Sequence, residues 1–218
     1  MKTRSFALAA AAAAVMVGPA LAQSPDPLGV LEAAAARYAG ATALCADFTQ
    51  ALDNPLLKQT KTSHGVLCQR QPDLFSMRFE DPEGDLVVAD GTHLWIYYPS
   101  MNPKQVFRSS LEQAGRSFDF HREFLENPRE KYTASYVGRE SVGGAQTHRV
   151  SVVPRGDASY RGADLWIGVD DRLVRRIEIR EQNGAVRRVT LDRVRLNPSI
   201  AGGTFAFTPP AGAQVIAR

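Results

Sequence analysis

Residues 72–99 read PDLFSMRFEDPEGDLVVADGTHLWIYYP, and this stretch decides the fold. Its first part alternates large apolar with polar side chains, the period of two that gives a β-strand one apolar face. The apolar members of this alternation are Phe75, Met77 and Phe79. Residues 81–84 (DPEG) have turn composition, and Asp90-Gly91 lies between two apolar runs, which is a strong hairpin signal. The stretch therefore predicts three antiparallel strands that carry more apolar bulk than one hairpin can bury.

The first 22 residues are predicted to be a signal peptide. Lys2 and Arg4 form a charged start, residues 6–17 form an alanine-rich apolar run, and residues 20–22 (ALA) match a cleavage site. The apolar run is too short to span a bilayer comfortably. We therefore expect an exported, soluble product in a bacterial periplasm.

The mature chain, residues 23–218, is predicted to form a single domain. It begins with Gln23 and not with cysteine, so no lipid anchor is expected there. Removing Lys2 and Arg4 leaves 24 of the 26 Lys and Arg against 23 Asp and Glu, so the formal net charge falls from +3 to +1. This near-neutral balance gives no support to nucleic-acid binding. We expect a monomer.

Two cysteines, Cys45 and Cys68, lie almost symmetrically about residues 53–55 (DNP), which have turn composition. If the flanking segments form a hairpin, the two thiols approach each other across it. In an oxidising compartment this favours a structural disulfide over a redox or metal role. The sequence has no C-x-x-C, and no histidine has obvious ligand spacing to either cysteine.

Helical spacing occurs in two places. A helix over 28–38 is predicted to begin after the N-cap Asp26, and it acts either as a packing helix or as a lid. A second helix is predicted over 116–127 and ends at Pro128. One face of the second helix carries Phe120 and Phe124, with Phe118 at its edge.

Strand patterns fill the rest of the chain, from 44–52 to a last strand at 204–208. The fold class is mainly β with α: an incomplete, unclosed antiparallel β-barrel of about ten or eleven strands, covered by helices. The concave face of such a sheet is either filled or leaves a cavity for a hydrophobic ligand. The sequence alone does not separate these two possibilities.

The chain is not expected to be an enzyme. It has no H-E-x-x-H, no G-x-S-x-G, no P-loop and no dinucleotide fingerprint, so we predict no catalytic residue, metal or cofactor. Arginines cluster between residues 172 and 195. They form either a solvated outer face or a docking surface for an acidic partner or lipid headgroups.

Four stretches together resemble the periplasmic outer-membrane lipoprotein carrier family, LolA. They are ADFTQ (46–50), PDLFSMRFEDP (72–82), ADGTHLWIYYP (89–99) and FAFTPPAG (205–212). The resemblance covers nearly the whole mature chain. It implies an open barrel whose cavity takes the acyl chains of lipoproteins, which an inner-membrane ABC transporter releases and an outer-membrane acceptor receives.

The resemblance also implies site residues. Phe75 and Met77 match cavity-facing positions of the family, and the alternation adds Phe79. The full predicted lining is Phe75, Met77, Phe79, Trp95, Phe120, Phe124, Ile177 and Ile179. The family commonly has a basic residue directly before the proline of this motif, involved in cargo release; here Gln71 holds that place and Arg70 lies one residue earlier. Arg70 and Gln71 are therefore the candidates for cargo release or docking, although a shift of one residue in a strand points a side chain to the opposite face.

Two rival functions use the same fold. One is a carrier of a free lipid or glycolipid, and the other is a sensory domain for envelope stress. Bound acyl chains favour the carriers, whereas a filled core favours the sensor. A hydrolase would need a buried polar constellation in the cavity.

Overall fold

The computed structural model describes residues 24–56, 58–114 and 119–217. The predicted signal peptide lies outside these residues, as do residues 116–118 of the predicted second helix. The described strands are β1 (Ala43–Asn54), β2 (Gln59–Arg70), β3 (Leu74–Asp81), β4 (Leu86–Asp90), β5 (His93–Tyr97), β6 (Gln105–Ser110), β7 (Tyr132–Val142), β8 (Ala145–Pro154), β9 (Tyr160–Gly168), β10 (Val174–Glu181), β11 (Val186–Leu196) and β12 (Gln214–Ala217). The described helices are α1 (Pro27–Tyr38), α2 (Leu111–Ala114), α3 (Phe120–Phe124) and α4 (Pro128–Lys131).

One sheet contains all the described strands, in the order β12-β6-β5-β4-β3-β2-β1-β11-β10-β9-β8-β7. Neighbouring strands are antiparallel except β12, which lies parallel to β6. Strands β7 and β12 lie at the two edges and do not pair with each other, so the sheet is not closed. The predicted fold class, an incomplete antiparallel β-barrel covered by helices, is confirmed. The described residues form twelve strands, more than the ten or eleven predicted.

The predicted strand at 204–208 is wrong. This segment is irregular and crosses the sheet instead of joining it. Arg78 Nη2 donates to the carbonyl oxygens of Thr204 (3.3 Å) and Ala206 (2.8 Å), so a side chain satisfies backbone groups that a strand would pair. The segment then leads to β12, which extends the sheet beyond β6.

The predicted Asp90-Gly91 hairpin turn is confirmed. Gly91 has a φ of 96°, a conformation that glycine adopts without steric cost. The Asp90 carboxylate accepts hydrogen bonds from the backbone N–H groups of Thr92 and His93, both at 2.8 Å. Local chemistry therefore holds β4 against β5.

The first helix is confirmed and the second is corrected. Asp26 accepts from the backbone N–H groups of Leu28 (3.2 Å) and Gly29 (3.1 Å), as an N-cap should. The second helical region breaks after α3, because Asn127 is left-handed with a φ of 51°. Pro128 does not end this helix; it begins α4, where the missing N–H of proline is not needed.

The two faces of the sheet bury different sets of side chains. The inner face carries the main core together with α1 and α3, and its strand residues include Phe48, Leu67, Met77, Ile177 and Leu191. The outer face carries a small second cluster of Cys45, Cys68 and Phe205. Cys45 and Cys68 face each other in register on β1 and β2 and are joined with an S–S distance of 2.02 Å, so the predicted disulfide is confirmed.

The late arginines lie mostly in ion pairs, which favours the interpretation of a solvated outer face. Five of them pair with an acidic side chain, namely Arg175, Arg180, Arg187, Arg188 and Arg193. The best buried of the acidic partners is Asp164, which accepts from Arg180 Nη1 (2.8 Å) and Arg149 Nη2 (2.6 Å). No described helix is long and apolar enough to cross a bilayer.

Asp164 is expected to make stability pH-dependent. Burial raises the pKa of this carboxyl, but hydrogen bonds from Arg180, Arg149 and Ser151 outweigh burial and hold the pKa below its ordinary value of 3.8. A lowered pKa contributes stability at higher pH that is lost as pH falls below about 4. We expect the urea concentration at the unfolding midpoint to decrease as the pH is lowered through that range, and to decrease less steeply in Asp164→Asn.

Urea titrations of both proteins between pH 7 and pH 2.5 check this prediction. The region above pH 6 is an internal control, because the Asp164 carboxylate is fully charged there and the difference between the two proteins should be constant. Identical slopes of midpoint against pH below pH 4 would contradict it.

Candidate functional site

Strand β3 supplies the centre of the candidate site. Phe75, Met77 and Phe79 all face inward and are only 4%, 9% and 7% exposed. The Phe79 ring meets the Phe48 ring edge to face at 5.1 Å and the Tyr98 ring at 6.1 Å. The alternation in the sequence thus places three large apolar side chains on one concave surface.

Two helices cover this surface. Tyr38 at the end of α1 contacts Phe120 of α3, with ring centroids 6.2 Å apart, and Phe124 lies 5.7 Å from Tyr160 of β9. Seven of the eight predicted lining residues therefore lie together around one core: Phe75, Met77, Phe79, Phe120, Phe124, Ile177 and Ile179. That these side chains contact a ligand stays a prediction.

Trp95 is a correction to the predicted lining. Trp95 pairs in register with Val88, Val88 with Ser76, and Ser76 with Cys68. Side chains of residues paired in register lie on the same face of a sheet. Because Cys68 lies on the outer face, Trp95 lies there too. Its ring packs on Phe207 at 5.9 Å, and its Nε1 donates to Asp90 at 2.6 Å. The sequence of β5 does not identify its inner face, because apolar side chains occupy both of its faces.

Arg70 and Gln71 occupy different places. The Arg70 guanidinium lies on the outer face, 5.3 Å above the Phe205 ring, and donates to the Ile200 carbonyl at 3.4 Å. Gln71 lies at the rim, where its Nε2 donates to the Ala41 carbonyl at 3.1 Å. The structure thus places the two candidates apart, and a release or docking role remains a prediction for both Arg70 and Gln71.

A basic side chain that the sequence reasoning missed, Arg122 of α3, lies at this rim. Its Nη1 contacts Asp73 Oδ1 at 2.6 Å, and its Nε lies 3.5 Å from Asp119 Oδ2. Arg122 follows Pro72 by fifty positions in the sequence, so no local pattern places it beside Gln71. Only the packing of α3 over the end of β2 brings these groups together.

A second feature that the sequence reasoning missed is a hydrogen-bonded latch, formed by Glu123 of α3 with Tyr132 and Tyr160 of the sheet. The Tyr160 hydroxyl donates to Glu123 Oε1 at 2.5 Å, and the Tyr132 hydroxyl donates to the Glu123 carbonyl oxygen at 2.8 Å. The two hydroxyls are 2.7 Å apart. Burial first, and then the contact with Glu123, raises the pKa of Tyr160, so this hydroxyl keeps its proton and donates it.

Helix α1 is tied down at both ends. Near its start, Arg129 of α4 donates to Glu32 Oε1 (2.6 Å) and to Asp26 Oδ2 (2.9 Å). At its end, the Tyr38 hydroxyl accepts from the Val174 backbone N–H at 3.1 Å, and burial raises the pKa of Tyr38 to about 12. The first tie is solvent-exposed and therefore weak.

Two small spaces border the inner face among the residues that the structure describes. The helix-side cleft has a volume of about 30 Å³ and is defined by Tyr38, Leu44, Gln69, His121 and Arg122. The turn-side pocket has a volume of about 150 Å³, lies near the opposite end of β1, and is defined by Leu52, Phe79, Tyr98, Met101 and Arg187. Acyl chains would therefore need α1 and α3 to move.

The described residues show no metal centre. In the part of the chain that the structure covers, no group of three or more His, Cys, Asp and Glu side chains could hold a metal ion. The polar groups of the interior lie at its ends, and the inner face between them is apolar. This arrangement suits binding of an apolar group.

Comparison with known proteins agrees with this geometry. The family model described as outer membrane lipoprotein carrier protein LolA matches residues 39–208. The chain belongs to the LolA family. The match includes β1 to β11 and the segment that crosses the outer face, and it excludes α1 and β12 entirely.

Relatives with the same description match most of the chain, and a solved structure shares its fold. An outer-membrane lipoprotein carrier protein of Neisseria meningitidis is 27% identical over 82% of this chain and 82% of its own length. One of Bordetella avium is 27% identical over 94% of each chain. The solved MucA/MucB complex of Pseudomonas aeruginosa matches 88% of this chain and 64% of that chain with a TM-score of 0.51 and 15% identity, which shows the fold alone.

Membership of the LolA family settles three predictions made from the sequence. The chain is a lipoprotein-carrier family protein, it is not an enzyme, and it is periplasmic. An open sheet with an apolar inner face is consistent with carriage by burial and not by covalent chemistry.

Proposed function

We propose that this LolA family protein carries lipoproteins across the periplasm with their acyl chains on its inner face. It would receive them from an inner-membrane ABC transporter and pass them to an outer-membrane acceptor. The observation that carries the proposal is an unclosed sheet whose continuous apolar inner face is covered by short helices. A ligand can replace a helix on such a face without breaking the sheet.

The cover is built to be displaced. Helix α3 has only five residues, and a helix of that length is unstable on its own in water. It is held by apolar contacts and by the latch to Tyr132 and Tyr160. Acyl chains entering beneath α3 would bury the same apolar surface again, at about 0.8 kcal/mol for each CH₂ group.

The lining is suited to reversible binding. Met77 lies at the middle of β3 between Phe75 and Phe79. Its unbranched thioether side chain adapts to irregular contacts more readily than an aromatic ring does. This favours a site that accepts acyl chains of different lengths and releases them again.

Native mass spectrometry tests the proposal directly. The mature protein is mixed with a synthetic triacylated lipopeptide, and a one-to-one complex is expected. If only a free lipid or glycolipid binds, the protein is a carrier of the rival kind. If no acylated molecule binds, the carrier proposal is wrong and a sensory role on this fold gains weight.

Tyr160→Phe is expected to speed loading. The change removes the hydroxyl that donates to Glu123, so it weakens the latch on α3 while it keeps the ring packed on Phe124. A hydrogen bond to a charged group contributes about 1.5 kcal/mol, which corresponds to a rate increase of about tenfold. Stopped-flow fluorescence with a labelled lipopeptide measures the rate.

Trp95→Phe is the matched control. It also removes one hydrogen bond to a carboxylate, that from Nε1 to Asp90, but on the outer face and away from α3. The loading rate of Trp95→Phe should equal that of the wild type. Equal rates for Tyr160→Phe and Trp95→Phe would contradict the latch.

A further inference from the structure

Two polar side chains lie at the boundary between the apolar interior and the helix-side cleft. Gln69 is the last inward-facing residue of β2, in register with Leu44 on one side and Phe75 on the other. It is 8% exposed. His121 of α3 faces the same cleft, with its ring 5.5 Å from the Tyr38 ring.

Both side chains have an unused polar atom. Gln69 Oε1 and His121 Nε2 are buried, and neither has a hydrogen-bond partner among the residues that the structure describes. Leaving a buried polar atom unpaired is costly, so such an atom calls for an explanation. Gln69 has no evident structural role that an apolar residue would not fill better.

We infer that Gln69 and His121 bind the polar junction of an acylated cargo, the amide group through which a fatty acyl chain joins the peptide. The inference rests on the proposed carrier function and adds a subsite to it. Acyl chains lying on Phe75 and Met77 would bring their polar ends to the end of β2, where Gln69 lies.

The chemistry of the two side chains selects an amide. Gln69 Oε1 is an acceptor and pairs with the amide N–H, a donor that an ester lacks. Burial lowers the pKa of His121, partly offset by Asp119 and Glu126, so its imidazole is neutral at pH 7. A neutral imidazole in the Nε2–H tautomer donates to the amide carbonyl oxygen. Gln69 and His121 both line the helix-side cleft, so the two side chains face the same space.

A matched pair of probes tests the inference: a fluorescent N-palmitoyl amide and the palmitoyl ester of the same fluorophore. The wild type is expected to bind the amide about tenfold more tightly than the ester, as one buried hydrogen bond allows. Gln69→Leu should bind the amide and the ester with equal affinity, because its affinity for the amide falls to that for the ester. His121→Phe should weaken the binding of both probes and leave the preference unchanged, because the amide and the ester both carry the carbonyl oxygen to which His121 Nε2–H donates.

A stability measurement gives a second readout. Because leucine removes a buried unpaired oxygen, the ligand-free Gln69→Leu protein is expected to melt at a higher temperature than the wild type. A residue that only supported the fold would shift the melting temperature the other way. Gln214→Leu, at an exposed site on β12, controls for the added apolar side chain and should change neither quantity.

The outcomes separate the two proposals. If the wild type binds neither probe, the carrier proposal fails. If the wild type binds both probes and Gln69→Leu keeps the wild-type preference, only the amide subsite is overturned.

Discussion

Gly65→Ala is expected to destabilise the protein by about 3 kcal/mol. A Cβ atom at position 65 would lie 2.0 Å from the Arg78 carbonyl oxygen and 2.8 Å from the Phe79 Cα. Both are backbone atoms of β3, so relief requires a shift of the strand and not a side-chain rotation. The register between β2 and β3 changes between His64 and Gly65, so the two strands approach unusually closely here. Urea unfolding measures the loss.

Gly156→Ala is the matched control for this prediction. A Cβ at position 156 would have no neighbour within 4 Å, and the residue lies on an exposed bend. Alanine restricts the unfolded chain, so we expect no loss of stability and a gain of up to about 1 kcal/mol. Equal stabilities for Gly65→Ala and Gly156→Ala would show that the approach of β3 at Gly65 relaxes freely.

The double variant Cys45→Ala, Cys68→Ala is expected to lose about 3 kcal/mol of unfolding free energy. The disulfide closes a loop whose ends are 23 positions apart, and a cross-link of that length restricts the unfolded chain by about this amount. Phe205 also packs on the two sulfur-bearing side chains, so the segment that crosses the outer face loses contacts. Urea unfolding under non-reducing conditions measures the difference.

Reduction provides the control for the disulfide. Wild-type protein unfolded in the presence of a reducing agent should approach the stability of the double variant, because both lack the cross-link. A double variant as stable as the oxidised wild type would mean that the β1–β2 hairpin is already formed in the unfolded chain. In that case the disulfide would have little entropy to remove.

Lipid loading should respond differently to these two losses of stability. Gly65 and the disulfide lie in β1 to β3 or on the outer face, away from the latch between Glu123 and Tyr160. We therefore expect their loading rates to change less than that of Tyr160→Phe, although their stabilities change more. We expect stability and loading to be separable, because the stability losses arise in the sheet and the latch belongs to the helices that cover it.

Much of the site could be predicted because it depends on local periodicity. The alternation along β3 places Phe75 and Met77 on one face whichever way the sheet curls. The spacing of Phe120 and Phe124 likewise puts both rings on one side of a helical turn. Trp95 shows the limit of this reasoning: β5 is apolar on both faces, so the choice of face depends on Phe207, which is more than a hundred residues away.

The latch and the amide subsite could not be predicted for a related reason. Glu123 contacts Tyr160, and Gln69 and His121 line the same cleft, across gaps that no sequence period spans. The alternation along β2 does place Gln69 on the same face as Leu67, so a polar residue on an apolar face was a visible signal. Its meaning depended on knowing which face is covered by α3.

The sequence by itself determined the features whose causes lie within a few residues. These are the N-cap of α1 at Asp26, the hairpin turn at Asp90-Gly91, and a disulfide across the β1–β2 hairpin. Tertiary structure decided the features that depend on contacts between segments far apart in the sequence. Residues 204–208 remain outside the sheet, where Arg78 donates to the carbonyl oxygens of Thr204 and Ala206, and α3 covers the inner face because Phe120 and Phe124 pack there.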